Sequence, residues 1–106
     1  MMSRSAVRIA SVTVGTTAAA SKEISLEQFA GGIVYIPTGE TVVTLTYHTA
    51  PVACGTYLAL YDEDGVAVTQ TVSAAKAYAI PAAVWGCGFI KISGDAAATV
   101  DLYLKA

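Results

Sequence analysis

Charged side chains are scarce in this sequence of 106 residues, and the basic ones are dispersed. Asp, Glu, Lys and Arg make up only 13% of the residues, against roughly 25% in an ordinary soluble domain. The net charge is −2 with a pI near 5.1. Binding to nucleic acid or to an anionic membrane requires a cluster of basic residues. Because the six basic residues are scattered, we expect neither partner.

Long apolar runs are also absent, although 55% of the residues are hydrophobic. No stretch reaches the roughly 18 apolar residues that a membrane-spanning helix needs. Residues 1–23 superficially imitate a secretory signal, but Arg8 interrupts the apolar part and Thr13, Thr16 and Thr17 dilute it. We therefore interpret residues 1–22 as an arm plus a first strand, within a single domain that covers residues 1–106.

Residues that carry out chemistry are few. His48 is the single histidine, so any Ser-His or Cys-His mechanism would need it together with an orienting acid. The sequence places no such acid beside it. No phosphate-binding loop is present, since Gly86-Cys87-Gly88 lacks both the P-loop lysine and the dinucleotide fingerprint. We predict a protein that is not an enzyme and that has no cofactor.

The sequence offers poor metal sites. Asp62, Glu63 and Asp64 crowd one turn, which supplies fewer oxygen ligands than calcium requires. Cys54, Cys87 and His48 do not form the close ligand pairs of a zinc site. A disulfide between the two cysteines is the alternative to free thiols, and without a convincing export signal we favour two free cysteines that are buried as small apolar residues.

Alternating apolar and polar residues, with turn residues at regular intervals, indicate an all-β fold. We predict a single-domain antiparallel β-sandwich or jelly-roll-like barrel of about eight short strands. In residues 41–48, Val43, Leu45 and Tyr47 share the predicted inner face. In the later strands the predicted inner residues are Ile90, Ile92, Val100, Leu102 and Leu104. Residues 23–29 fit either a strand or a single helical turn.

Two segments have more specific predictions. The runs TYLALY and VAVTQTV flank DEDG, which predicts a hairpin that places Leu58 and Leu60 on the same side as Val66, Val68 and Val72. The stretch AYAIPAAVWGCGFIKI (77–92) predicts a crossover, in which Pro81 ends one extended segment and residues 82–85 form a short helical turn. Trp85 would then cap the core or an intersubunit contact.

The segment from Gly55 to Ala106 resembles the C-terminal half of small β-rich proteins encoded among the structural genes of tailed bacteriophages. The shared motifs are the YDEDGVAVTQTV hairpin, a Y-x-I-P-A-A turn, a glycine-containing loop, FIKI and a closing TVDLYLK strand. The resemblance implies a virion component on the capsid exterior. It implies a head decoration or cement protein that is made in the host cytoplasm, binds the major capsid protein and is often a trimer.

Two other functions remain open at the level of sequence. The six tyrosines and Trp85 could line the sugar-binding face of a phage fibre or tail-associated receptor module, although core or interface packing is the favoured role for such rings. A cytoplasmic enzyme or adaptor would require a polar pocket around His48. For a structural subunit, the candidate interface residues are Arg4, Arg8, Trp85 and Tyr103.

Overall fold

The structure is a computed structural model that describes residues 7–16 and 21–105. This part of the chain contains nine strands and one short 3-10 helix. They are β1 (Val7–Val14), β2 (Ile24–Ser25), β3 (Gly31–Ile36), β4 (Thr44–Ala50), β5 (Leu58–Ala59), β6 (Thr69–Thr71), β7 (Lys76–Ala79), the 3-10 helix (Ala82–Gly86), β8 (Phe89–Gly94) and β9 (Ala98–Lys105). The other residues of the predicted N-terminal arm lie outside the described ranges.

The strands form two antiparallel sheets. The first sheet has four strands in the order β1-β9-β3-β7. The second sheet has five strands in the order β2-β8-β4-β5, with β6 also paired with β4. Of the two predicted architectures, the chain therefore forms the sandwich. The predicted strand or helical turn at residues 23–29 is a two-residue strand followed by a turn.

The core between the sheets consists of the apolar side chains that alternation predicts. Ile90 and Ile92 of β8 are buried, and so are Val100, Leu102 and Leu104 of β9. Other large side chains that are almost fully buried come from five more segments of the chain: Val12, Val14, Ile24, Val34, Val42, Leu45, Tyr47 and Val72. Because these β-branched and aliphatic residues recur with a period of two, each strand presents one apolar face to the opposite sheet.

Three predicted inward residues are exposed instead. Val43, Leu58 and Val66 expose 51%, 68% and 59% of their surface. Leu58 is opposite Thr49 in the ladder, so it lies on the core side of its sheet and yet nothing covers it. Alternation predicts the face on which a side chain lies, but it does not predict how far the opposite sheet extends.

The DEDG hairpin is confirmed. Tyr61 pairs with Ala67, and the backbone N–H of Asp62 donates to the carbonyl of Val66 over 2.9 Å. Gly65 closes the turn with a φ of +76°, a conformation that costs glycine little and other residues more. Within the hairpin Val68 and Val72 are buried and Leu60 packs partly against the core, as predicted for these three.

The stretch from residue 77 to residue 92 is the predicted crossover between sheets. β7 belongs to the first sheet and β8 to the second, and the 3-10 helix connects them immediately after Pro81. Val84 is fully buried, while Trp85 is half-buried and packs against the core. The tryptophan therefore covers one end of the core.

Candidate interaction surfaces

Part of the outward side of the first sheet, across β9, β3 and β7, is apolar. We define the outer face by five side chains that share this side: Ile33, Tyr35, Ala77, Ala79 and Tyr103. The strand register aligns them, since Ile33 is opposite both Tyr103 and Ala79, and Tyr35 is opposite Ala77. Tyr35, Ala77 and Ala79 are exposed, and Ile33 and Tyr103 are half-buried. A contiguous apolar area on a sheet is typical of a surface that another molecule covers.

A groove of about 370 Å³ lies at one end of the outer face, along Gly31, Gly32, Ile33 and Tyr103. Gly32 explains how the two strands come this close. A β-carbon at this position would lie 2.5 Å from the carbonyl oxygen of Tyr103, which is shorter than any normal contact. Gly31 is on the outward side, where an added β-carbon would meet no atom within 4 Å, and its missing side chain leaves an open depression beside Tyr103.

A second groove, of about 430 Å³, lies at the other end and has more polar walls. Tyr35, Pro37, Lys76 and Asp101 line it. Asp101 also accepts a hydrogen bond of 2.7 Å from the Ser11 hydroxyl across the β1–β9 ladder. The outer face is thus flanked by a groove at each end, and the charged groups lie at its margins.

The predicted interface residues that fall within the described ranges lie on three different elements. Tyr103 belongs to the outer face, whereas Trp85 lies in the crossover and packs against the core. Arg8 belongs to β1 at the edge of the first sheet. Arg4 lies outside the described residues.

Sequence reasoning missed most of the outer face. Ile33 and Tyr35 alternate with the buried Val34 and Ile36, so the pattern GGIVYI signals two outward apolar residues. The sequence does not show that β9 inserts between β1 and β3. That strand order is what places Tyr103 beside Ile33.

His48 lies on the outward side of the second sheet, where its Nε2 is 2.8 Å from the Ser93 hydroxyl. Burial lowers the pKa of His48, which favours the neutral ring. Ser93 is only 6% exposed, and His48 is opposite Lys91 in the strand ladder rather than an acid. A nucleophile must be reachable by its substrate, so this pair is better explained as a hydrogen bond that satisfies a buried hydroxyl.

Glu23 holds the loop that follows β4. One oxygen of its carboxylate, Oε2, accepts hydrogen bonds from the backbone N–H of Cys54 over 2.7 Å and from the Tyr57 hydroxyl over 2.5 Å. The Tyr57 bond, followed by the Cys54 bond, lowers the pKa of Glu23. Burial, followed by the bond to Glu23, raises the pKa of Tyr57. Lys91 Nζ lies 4.7 Å from the centre of the Tyr57 ring, and these contacts fix the loop from both sides.

The acidic turn uses a carboxylate for its own backbone. Oδ1 of Asp62 accepts hydrogen bonds from the N–H groups of Asp64 and Val66, both over 2.9 Å. Asp62, Glu63 and Asp64 are exposed. Within the described ranges, no three His, Cys, Asp or Glu side chains are grouped closely enough to hold a metal ion.

The two cysteines are free thiols with different surroundings. Cys87 is half-buried and packs against the core, in line with its predicted role as a small apolar residue. The prediction that Cys54 is buried is wrong. It lies in the loop after β4, with a φ of +58°, and because residues 51–54 of this loop all lie at the surface, the core does not pack against it.

None of the helical structure in residues 7–16 and 21–105 has the length and hydropathy of a membrane span. Comparisons of the chain with protein-family models, with curated proteins and with solved structures found no match.

Proposed function

We propose that this chain is a structural virion protein, a decoration or cement subunit that binds the major capsid protein on the capsid exterior. The phage-like motifs between Gly55 and Ala106 suggest this role. The protein is made in the host cytoplasm, acts as a homo-oligomer and has no catalytic function. It works by covering area on the particle rather than by transforming a ligand.

The outer face is the observation that carries the proposal. Its side chains come from three neighbouring strands, and they include the tyrosines Tyr35 and Tyr103. Tyrosine is enriched in protein interfaces because its ring buries a large apolar area and its hydroxyl remains able to form hydrogen bonds. Another protein is therefore the kind of partner that such a face fits.

The composition of the chain supports the same role. Only 13% of its residues are charged, and the core of a protein interface is likewise depleted in charge. A standard interface buries about 800 Å² on each partner, and the subunit exposes 5855 Å² in total. One contact of standard size therefore covers only a modest part of the molecule. Repetition over many capsid sites adds avidity, so each single contact can be weak.

Heating of phage particles tests the proposal. Particles of the encoding phage that lack this protein are expected to release DNA at a lower temperature than complete particles, because the subunit bridges capsid proteins. Adding the purified protein to the deficient particles is expected to restore the higher temperature. Equal release temperatures for complete and deficient particles would contradict the cement role.

A second candidate function is a fibre or tail-associated module that binds glycans. The observation that favours it is the groove beside Tyr35, where an exposed ring lies near Lys76 and Asp101. Sugars stack on aromatic rings and form hydrogen bonds with charged groups, so these residues suit a saccharide. Glycan-array binding that disappears in Tyr35→Ala and persists in Tyr61→Ala would favour this function, while the absence of any bound glycan would leave the cement role in place.

A further inference from the structure

Within residues 7–16 and 21–105, the first sheet ends in an edge strand that lacks the usual protection. β1 has eight residues, and its sequence VRIASVTV contains no proline, no glycine and one charged residue. The other edge of this sheet, β7, has four residues including Lys76 and is followed closely by Pro81. β2 and β5, at the ends of the second sheet, have two residues each. Proteins normally keep edge strands short, charged or interrupted because an open edge can pair with another strand.

We propose that β1 pairs with β1 of a second copy, antiparallel and across a two-fold axis, to form one continuous sheet of eight strands. The proposal rests on the geometry of this edge alone and is independent of the proposed virion function. It assigns an interaction surface to the part of the chain that contains Arg8.

Hydrogen bonds within the sheet show the direction of the backbone groups. The N–H of Ile80 donates to the carbonyl of Gly32 over 3.1 Å, so even-numbered residues of β3 bond to β7 and odd-numbered ones bond to β9. The N–H of Ala30 donates to the carbonyl of Lys105 over 3.0 Å. The carbonyl of the odd-numbered Lys105 therefore points toward β3. Odd-numbered residues of β9 therefore face β3, and even-numbered ones face β1.

The same alternation continues into β1. Ala10 is opposite Leu102 and Val12 is opposite Val100, so the even-numbered residues of β1 bond to β9. The N–H and C=O groups of the odd-numbered residues point to the free edge of the described sheet: Val7, Ile9, Ser11 and Thr13. These four residues form a regular row of donors and acceptors.

A two-fold axis beside Ala10 places this row of backbone groups opposite the same row of the second copy. It places Ile9 opposite Ser11 and Val7 opposite Thr13 of the second copy. Each of these residues then both donates and accepts, as in the hydrogen-bonded pairs of an antiparallel ladder. The pairing also leaves each side chain on its own side of the sheet, because residues that are opposite in a ladder lie on the same side. Val12 stays on the buried side, and Ser11 and Thr13 stay on the exposed side. Both cores therefore stay on one side of the joined sheet.

Charge does not oppose the contact. Arg8, the charged residue of β1, would be opposite Val12 of the second copy, and the two Arg8 residues would lie roughly 13 Å apart along the strand direction, four residues at about 3.3 Å each. Each copy carries a net charge of only −2. A second copy is the natural occupant because every copy supplies the same unprotected row in the matching orientation.

Sedimentation equilibrium of the purified protein over a dilution series, with two variants at Ser11, tests the proposal. Ser11→Pro removes an N–H that points to the free edge and leaves the ladder with β9 intact. Ser11→Ala is the matched control, since it removes the same hydroxyl and its bond to Asp101 but keeps the N–H. We expect a dimer for the wild type and for Ser11→Ala. Ser11→Pro is expected to weaken dimerisation by a factor of about ten or more, because two hydrogen bonds are lost for each dimer.

Three results would overturn the proposal: a monomeric wild type, an oligomer that Ser11→Pro does not weaken, or a loss of dimer in Ser11→Ala equal to that in Ser11→Pro. Residue-resolved amide exchange of the wild type decides the matter if Ser11→Pro does not fold. The amides of Ile9, Ser11 and Thr13 are expected to gain protection as concentration rises, whereas those of Ala10 and Val12 stay protected throughout. Edge amides that are never protected, or protected equally at all concentrations, would contradict pairing between copies.

Discussion

Gly32 shows how one residue shapes the candidate interface. Its position in β3 brings the backbone within reach of Tyr103 and Leu104 in β9, and an added β-carbon would lie 3.0 Å from the Leu104 Cδ2 atom as well as 2.5 Å from the Tyr103 carbonyl oxygen. The neighbouring Gly31 has no atom within 4 Å of an added β-carbon. Two adjacent glycines therefore have different tolerances for a side chain.

We predict that Gly32→Ala lowers the free energy of unfolding by about 1–3 kcal/mol, the usual cost of overpacking. Gly31→Ala is the matched control and is expected to change stability by about 0.5 kcal/mol or less, or to stabilise slightly, since alanine loses less backbone entropy on folding. Urea denaturation of both variants measures the difference. Equal stabilities would show that β3 and β9 can separate without cost.

Asp95 links the β8–β9 turn to the beginning of β4. Its Oδ1 accepts hydrogen bonds from the N–H groups of Val43 over 2.9 Å and Thr44 over 3.1 Å. These bonds, with the Val43 bond foremost, lower the pKa of Asp95 below its ordinary value of 3.8. Because the backbone at Val43 is held in this way, its side chain can remain exposed without loosening the strand.

The lowered pKa predicts a dependence of stability on pH. The unfolded chain takes up the proton at Asp95 before the folded chain does, so the contribution of this carboxylate is complete above the unfolded pKa and disappears as pH falls through the folded value. We expect Asp95→Ala to melt at a lower temperature than the wild type at pH 7. The difference in melting temperature between the two proteins should become smaller once the pH falls below 3.8, the ordinary pKa of an Asp side chain. Melting curves at several pH values measure it, with Glu27→Ala as an exposed control; a gap that stays constant down to acidic pH would contradict the assignment.

The 3-10 helix is the element that closes one end of the core. Val84 is fully buried and Trp85 packs partly against the same cluster, so the segment acts as a cover between β7 and β8. We predict that Trp85→Ala lowers the free energy of unfolding by about 2 kcal/mol, less than the 3–5 kcal/mol of a fully buried aromatic residue. Trp85→Phe is expected to recover part of the loss. Tyr61→Ala, which removes an exposed ring, should change stability by about 0.5 kcal/mol or less.

Calorimetric unfolding of these three variants measures the difference. A melting temperature for Trp85→Ala equal to that of the wild type would mean that the ring contributes nothing to the core. A loss in Tyr61→Ala as large as that in Trp85→Ala would point to a general effect of removing aromatic residues.

Sequence pattern predicted some elements well and others poorly for a physical reason. The alternation in β8 and β9 was sufficient because both strands lie within their sheets and have the opposite sheet above them. The DEDG hairpin was recognisable because Asp62 and Gly65 satisfy its local backbone requirements. The shared side predicted for Leu58 and Val66 did not foretell their exposure, because cover depends on the opposite sheet, which is distant in sequence. The outer face was missed for the same reason, since it depends on strand order.

At the scale of the whole molecule, two neighbouring surfaces are candidate interaction surfaces. The outer face is apolar and flanked by grooves, and the edge at β1 presents a row of backbone groups. If β1 pairs across a two-fold axis, the two outer faces lie on the same side of one eight-stranded sheet. That arrangement would double the area that each particle contact can cover and raise its avidity. A trimer, which the phage resemblance suggests, stays a separate prediction that the sedimentation measurement also decides.

Binding to capsids that lack the protein tests the central claim most directly. Cosedimentation compares the wild type with Tyr35→Glu, which places a charge on the outer face, and with Tyr61→Glu, which places the same charge at an exposed tyrosine of the DEDG hairpin. Tyr35 and Tyr61 expose 45% and 58% of their surface, so both variants should fold. We predict that the wild type and Tyr61→Glu bind and that Tyr35→Glu binds at least about tenfold more weakly, as expected for loss of a central interface tyrosine. No binding by the wild type, or equal binding by all three proteins, would contradict the account.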